Sequence, residues 1–173
     1  ECLVGSEMCI RDRSHIVHYN AQPQKGSNYM ISCTFFGHHD APQSLFPLIC
    51  AEIERMIVER GVTHFYVGTT GNFDCMAYHA LQKVLPQYPS VKFETVLAYL
   101  PRVYDKDTEV PVFTENLLMP DGIEKVPPRF AISYRNRWMV KHADYVIAFV
   151  HRGGGAEQFV KLAERQKKPV INL

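Results

Sequence analysis

The chain has 173 residues and a mass of 19.9 kDa, with 46% apolar and 21% charged side chains. That fits one folded domain at about 150 residues each and excludes a disordered chain, which needs fewer apolar groups and more net charge. Its 19 basic against 18 acidic side chains leave a net charge of +1, without the basic excess that an extended nucleic-acid surface uses on phosphates.

No stretch approaches the about 20 apolar residues that cross a bilayer as a helix. The five cysteines, at 2, 9, 33, 50 and 75, include no CxxC pair. They form neither a disulfide framework nor a zinc pattern, and they point to thiols in a reducing cytoplasm. The run ECLVGSEMCIRDR at the start has no helical or strand period and is not a signal peptide, because its short apolar part precedes its basic part. It resembles a translated sequencing-adapter fragment. Residues 14 to 29 are polar, and an apolar strand opens at Met30. Residues 1 to 29 are therefore expected to be a non-native or disordered extension, with one domain over residues 30 to 173. The extension carries as many basic (Arg11, Arg13, Lys25) as acidic (Glu1, Glu7, Asp12) side chains, so the remainder keeps the net charge of +1.

From Met30 onward strands and helices alternate. Ile31 to Phe36 reads as a buried strand ended by Gly37. Ser44 is placed to cap a helix with Leu45, Leu48, Ile49, Ile53, Met56 and Ile57 inward and Gly61 at its end. His64 to Val67 is a second strand. Phe73, Met76, Ala77, Ala80, Leu81, Val84 and Leu85 have the spacing of a second buried helix face. A third strand lies within 91 to 100, a third helix at 131 to 142, a fourth strand at 145 to 150, a fourth helix at 156 to 166 and a fifth strand at 169 to 173. This alternation implies parallel pairing with right-handed crossovers. The expected fold is α/β, a doubly wound parallel sheet of about five strands in the order 3-2-1-4-5. Residues 101 to 130 break the rhythm with prolines at 101, 111, 120, 127 and 128. So long a connection reads either as a lid over a site or as a static cover with an edge strand near Val110 to Phe113.

In such a sheet ligands bind beyond the carboxyl ends of the strands, where the strand order reverses. Three glycine-bearing turns fall on that edge: Gly37-His38-His39 after the first strand, Gly68-Thr69-Thr70-Gly71-Asn72-Phe73-Asp74 after the second, and His151-Arg152-Gly153-Gly154-Gly155 after the fourth. Glycine lets backbone N–H groups approach a ligand, and a helix N-terminus favours anions. The N–H groups of Gly153 to Ala156 are candidate phosphate donors. None of these turns is a Walker loop or a GxGxxG fingerprint.

Arg135 shares a helical stripe with Ile132 and Met139, so it needs a partner. It is either a bidentate clamp on phosphate or a structural pair with Asp144 or Asp74. Asp74 either holds ribose hydroxyls, a role also open to Asn72, or complements the helix dipole. His38, His39 and His151 lack metal-ligand spacing, and no metal is expected; hydrogen bonding to ligand or plain solvation suits them better. Cys75 has no evident base beside it, which favours packing over a nucleophilic role. Arg137 reads as solvated, Trp138 as packing, and residues 165 to 168 as a solvated helix end.

The strings CTFFGHHDAP (33 to 42), FYVGTTGNFD (65 to 74), VLAYLP (96 to 101), VPPRFAISYRNRWMV (126 to 140), GGGAEQF and PVINL resemble a small bacterial family of the SLOG superfamily, which is related to LOG and DprA proteins. The resemblance runs in order over residues 30 to 173. It implies a three-layer Rossmann-like domain that binds a nucleotide or nucleotide derivative, as sensors of this superfamily do, with no resident cofactor and possible homo-oligomers. The alternative it implies is an N-glycosidic-bond enzyme like the LOG phosphoribohydrolases or nucleoside deoxyribosyltransferases. Two departures stand out. The family's Gly-His-Arg after the first strand is Gly37-His38-His39 here. The catalytic glutamate position of the LOG enzymes falls on Phe159, with Glu157 nearby, so whether a reaction is catalysed stays open.

Overall fold

The computed structural model describes residues 30–99 and 116–173. The expected extension at 1 to 29 and the expected edge strand near Val110 to Phe113 lie outside the described residues. The described strands are β1 (Ser32–Gly37), β2 (His64–Val67), β3 (Lys92–Val96), β4 (Leu117–Leu118), β5 (Tyr145–Phe149) and β6 (Val170–Asn172). The helices are α1 (Phe46–Arg60), α2 (Asn72–Val84), α3 (Pro128–His142) and α4 (Gly155–Arg165).

All strand pairs are parallel, in the order β4-β3-β2-β1-β5-β6. The five strands expected from the sequence keep their expected order. The addition is β4, two residues too short to show an alternating pattern, laid along the outer edge of β3. The strand order reverses between β1 and β5.

Alternating residues divide the core into two layers, as the period of two in a strand requires. Cys33, Phe35, Phe65, Val67 and Phe93 face α1 and α2, where they meet Ile49, Ile53, Met56, Phe73, Ala77 and Leu81. Phe36, Tyr66, Val96, Val146 and Ala148 face α3 and α4, where they meet Met139, Val140, Phe159 and Ala163. The apolar face expected for α2 is buried throughout.

Three local expectations need correction. Ser44 does not cap α1: it lies within a short 3-10 turn, Gln43–Leu45, that leads into the helix. Leu48 points outward at 54% exposure, because it sits about 100° around the helix from Ile49 and so off the inner stripe of Ile49, Ile53 and Met56. Finally, the basic run after α4 is not simply solvated. Lys168 crosses to the C-terminus of α3, where its Nζ donates to the carbonyls of Val140 (2.6 Å), Lys141 (3.1 Å) and Ala143. A lysine there satisfies carbonyls left open by the helix end and complements its dipole.

Candidate functional site

β1 and β5 stay paired to their last residues, Gly37 and Phe149, and a cavity of about 260 Å³ opens beyond the carboxyl end of β1 at this reversal point. Its floor is the end of β1, Phe35 to Gly37, followed by His38 and His39. One wall is α3, through Ile132, Ser133, Arg135, Asn136 and Met139; another is the first turns of α4, through Gly155, Ala156, Gln158 and Phe159. Thr70 and Asp74 close it from the start of α2.

Gly37, His38, His39, Asp74, Arg135, Gly155 and Ala156, among the residues expected at the site, line this cavity. The remaining ones do not. A Cβ on Gly68 would lie 2.2 Å from Asp74 Oδ2 and 2.7 Å from Arg135 Nη1, so this glycine clears space for the two charges. Gly71 has φ +94°, and a Cβ there would meet His39 Cα at 2.6 Å. Asn72 is exposed and donates its backbone N–H to His39 O at 2.9 Å. Gly71 and Asn72 thus fasten the turn after β1 to the start of α2. Thr69, Gly153 and Gly154 flank the lining segments. Sequence reasoning missed Ser133, Asn136 and Gln158. Asn136 lies one turn after Ile132 and Gln158 one turn after Gly155, so helical spacing links each to a lining residue, but only the packing of α3 and α4 turns those faces to the cavity.

Arg135 is 2% exposed. It pairs with Asp74 at 3.9 Å, and not with Asp144, whose carboxylate accepts from Ser32 N at 2.8 Å and Ser32 Oγ at 3.1 Å. Its other bonds are long: Nη1 donates to Val96 O and Nη2 to Thr70 Oγ1, both at 3.3 Å, and Nε has no acceptor among the described residues. Asp74 accepts from Thr70 N at 2.9 Å. Burial raises the pKa of Asp74 and lowers that of Arg135, while their mutual attraction opposes both shifts. A guanidinium with five donors and only two long bonds retains unspent hydrogen-bonding capacity.

His38 and His151 meet with ring centroids 4.6 Å apart, and His151 N donates to His38 Nε2 at 3.4 Å. Burial, and then the neighbouring His151 and Arg152, push the His38 pKa down. His39, with its side chain 80% exposed, stands apart. No group of three or more His, Cys, Asp or Glu among the described residues could hold a metal ion.

Cys75 is partly buried, and its thiol pKa is raised by burial and then by Asp74, the opposite of a nucleophile's tuning. Phe159 stacks on Phe36 at 5.6 Å, and Glu157 pairs with Lys161 at 2.9 Å. Trp138 packs edge-on against Tyr66 at 5.3 Å, and Arg137 is exposed.

No family model and no curated protein matches this sequence. Among the described residues no helix is long and apolar enough to cross a membrane. The fold is similar to that of the X-ray structure of DNA processing protein A (DprA) from Streptococcus pneumoniae, with a TM-score of 0.59 and 14% identity over 83% of this chain and 50% of that one. This chain spans about half the length of that protein, and the likeness is one of fold: a Rossmann-like α/β domain.

Proposed function

We propose that the crevice at the carboxyl end of β1, walled by α3 and α4, binds a small nucleotide or nucleotide derivative, in the manner of a SLOG-type sensor domain. One observation carries this reading. A buried arginine with unspent donors and a buried carboxylate line the same cavity as the N-terminus of an eleven-residue helix. The free N–H groups of Gly155 and Ala156 and the dipole of α4 suit a phosphate. Asp74 and Arg135, an acceptor beside a donor on the opposite wall, suit sugar hydroxyls. At about 260 Å³ the cavity is slightly below the ~300–1,000 Å³ of drug-sized sites. That leaves room for the phosphate and sugar of one nucleotide.

The Rossmann-like fold shared with DprA and the motif resemblance support membership of the SLOG superfamily. The net charge of +1 favours a small ligand over a nucleic-acid strand. The free thiols of Cys33, Cys50 and Cys75 fit a cytoplasmic setting.

An N-glycosidic reaction would need a carboxylate free to act on the ligand. Asp74 lines the cavity but is tied to Thr70 and Arg135, and Glu157 is turned to Lys161. Binding is therefore the better-supported function. Thermal unfolding against a panel of AMP, ADP-ribose, NAD and cyclic dinucleotides, with adenosine as control, tests it. A true ligand at 100 times its Kd adds about 2.7 kcal/mol to stability. A panel that leaves unfolding unchanged contradicts the reading.

A further inference from the structure

The cavity is a built site, because Arg135 lines it at 2% exposure with Nε lacking an acceptor among the described residues. Among the described residues its charge balance is nevertheless short of one cation. Arg135 is offset by Asp74 on the same wall, and a helix N-terminus supplies only about half a positive charge. A phosphate held there needs a fuller counter-charge.

Arg152 lies two residues before Gly154, the N-cap of α4. Its side chain is 51% exposed, and its Nη2 donates to Asp40 Oδ2. Neither residue lines the cavity, but Asp40 follows His39 and Arg152 shortly precedes Gly155, which both do. The ion pair therefore bridges the two turns at the rim, beside the His38–His151 contact. An anionic side chain thus occupies the guanidinium carried two residues before that helix end. The arginine holds Asp40 well below the ordinary carboxylate pKa, so that group is an anion throughout the neutral range.

We propose that Arg152 is the phosphate-binding cation of this site, held in reserve by Asp40, and that an entering phosphate replaces Asp40 on the guanidinium. The inference rests on the phosphate reading of the crevice given above. The exchange is easy on physical grounds. An exposed ion pair contributes little, and the released carboxylate returns to water. The planar guanidinium fork matches two phosphate oxygens as well as two carboxylate oxygens. Asp40 accordingly competes with the ligand and lowers its affinity.

The experiment titrates inorganic phosphate, and separately AMP, into the full chain and into Asp40→Asn, Arg152→Gln and the double variant, following the amide resonances of Gly155 and Ala156. Asp40→Asn is expected to bind about two- to fivefold more tightly, because no ion pair has to be given up. Arg152→Gln is expected to bind about tenfold more weakly. The double variant should match Arg152→Gln, since removing Asp40 helps only through Arg152. If Asp40→Asn binds no more tightly than the parent, the competition is absent and the proposal fails. If its gain persists in the Arg152→Gln background, the effect is general electrostatics and the proposal also fails. If the Gly155 and Ala156 amides ignore both probes in every variant, the phosphate reading itself fails and takes this inference with it.

Discussion

Arg135 illustrates how far single residues were legible. Its place on an apolar stripe with Ile132 and Met139 implies a buried charge in need of a partner; Arg135 and Met139 are buried, while Ile132 is half-buried. Which carboxylate would answer was not legible, because Asp74 is distant in sequence and only the α2–α3 geometry brings it to 3.9 Å. Removing one member of a buried pair leaves an uncompensated charge, so Arg135→Ala should lower unfolding stability by about 3 kcal/mol. Chemical denaturation checks this, and a loss below 1 kcal/mol would show that the pair carries little. His38 makes a second prediction at this scale. Its folded pKa lies below the ordinary value of 6.5, so the unfolded chain takes up a proton first as the pH falls. Stability attributable to His38 is therefore intact above pH 6.5 and declines as the pH drops towards the folded pKa. Asp74 has the opposite sense: its raised folded pKa makes stability fall as the pH rises above 3.8. His38→Gln should flatten the His38 slope between about pH 7 and 5 and leave the Asp74 slope in place. An unchanged profile in denaturation curves across that range would remove His38 from this account.

At the scale of elements, long periodic segments were readable, and short or cross-chain features were not. The α2 stripe and the strand runs declared themselves through burial alone. β4 has two residues and no period, and the cap on α3 comes from Lys168, far along the chain. The turn after β2 brings Thr70 to the cavity and leads into Asp74, but its glycines serve packing rather than lining. Gly68 makes room for Asp74 and Arg135, and Gly71 adopts a left-handed backbone against His39. Gly71→Ala should therefore cost about 2 kcal/mol or more, since it adds a backbone collision to the conformational penalty. Lys168→Met should cost about 1 to 3 kcal/mol by stripping the donor from α3 carbonyls. Urea unfolding of each variant provides the measurement. A neutral Gly71→Ala would mean that the β1 turn yields freely.

For the whole molecule, the topology follows from the alternation of strands and helices, and the crevice follows from the topology. Strand order reverses between β1 and β5, and the cavity opens at that point. The side chains that complete it come from α3 and α4, whose packing angles no local pattern encodes; Ser133, Asn136 and Gln158 went unnoticed for that reason. Every described strand and helix of the sheet lies between Ser32 and Asn172. Because residues 1 to 29 carry no helical or strand period, a chain starting at Met30 is expected to unfold in one cooperative step with the same midpoint as the full chain. Loss of cooperativity would show that residues 1 to 29 belong to the fold.

The crevice is proposed to recognise a phosphate-bearing nucleotide. A parallel amide titration with AMP and with adenosine, resolving Gly155, Ala156 and the Arg135 Nε–H, bears on it most directly. Saturable shifts at all three groups are expected with AMP, and shifts at Gly155 and Ala156 that are weak or absent with adenosine. Shifts with AMP confined to residues outside the crevice, or equal responses to the two ligands at Gly155 and Ala156, would contradict it.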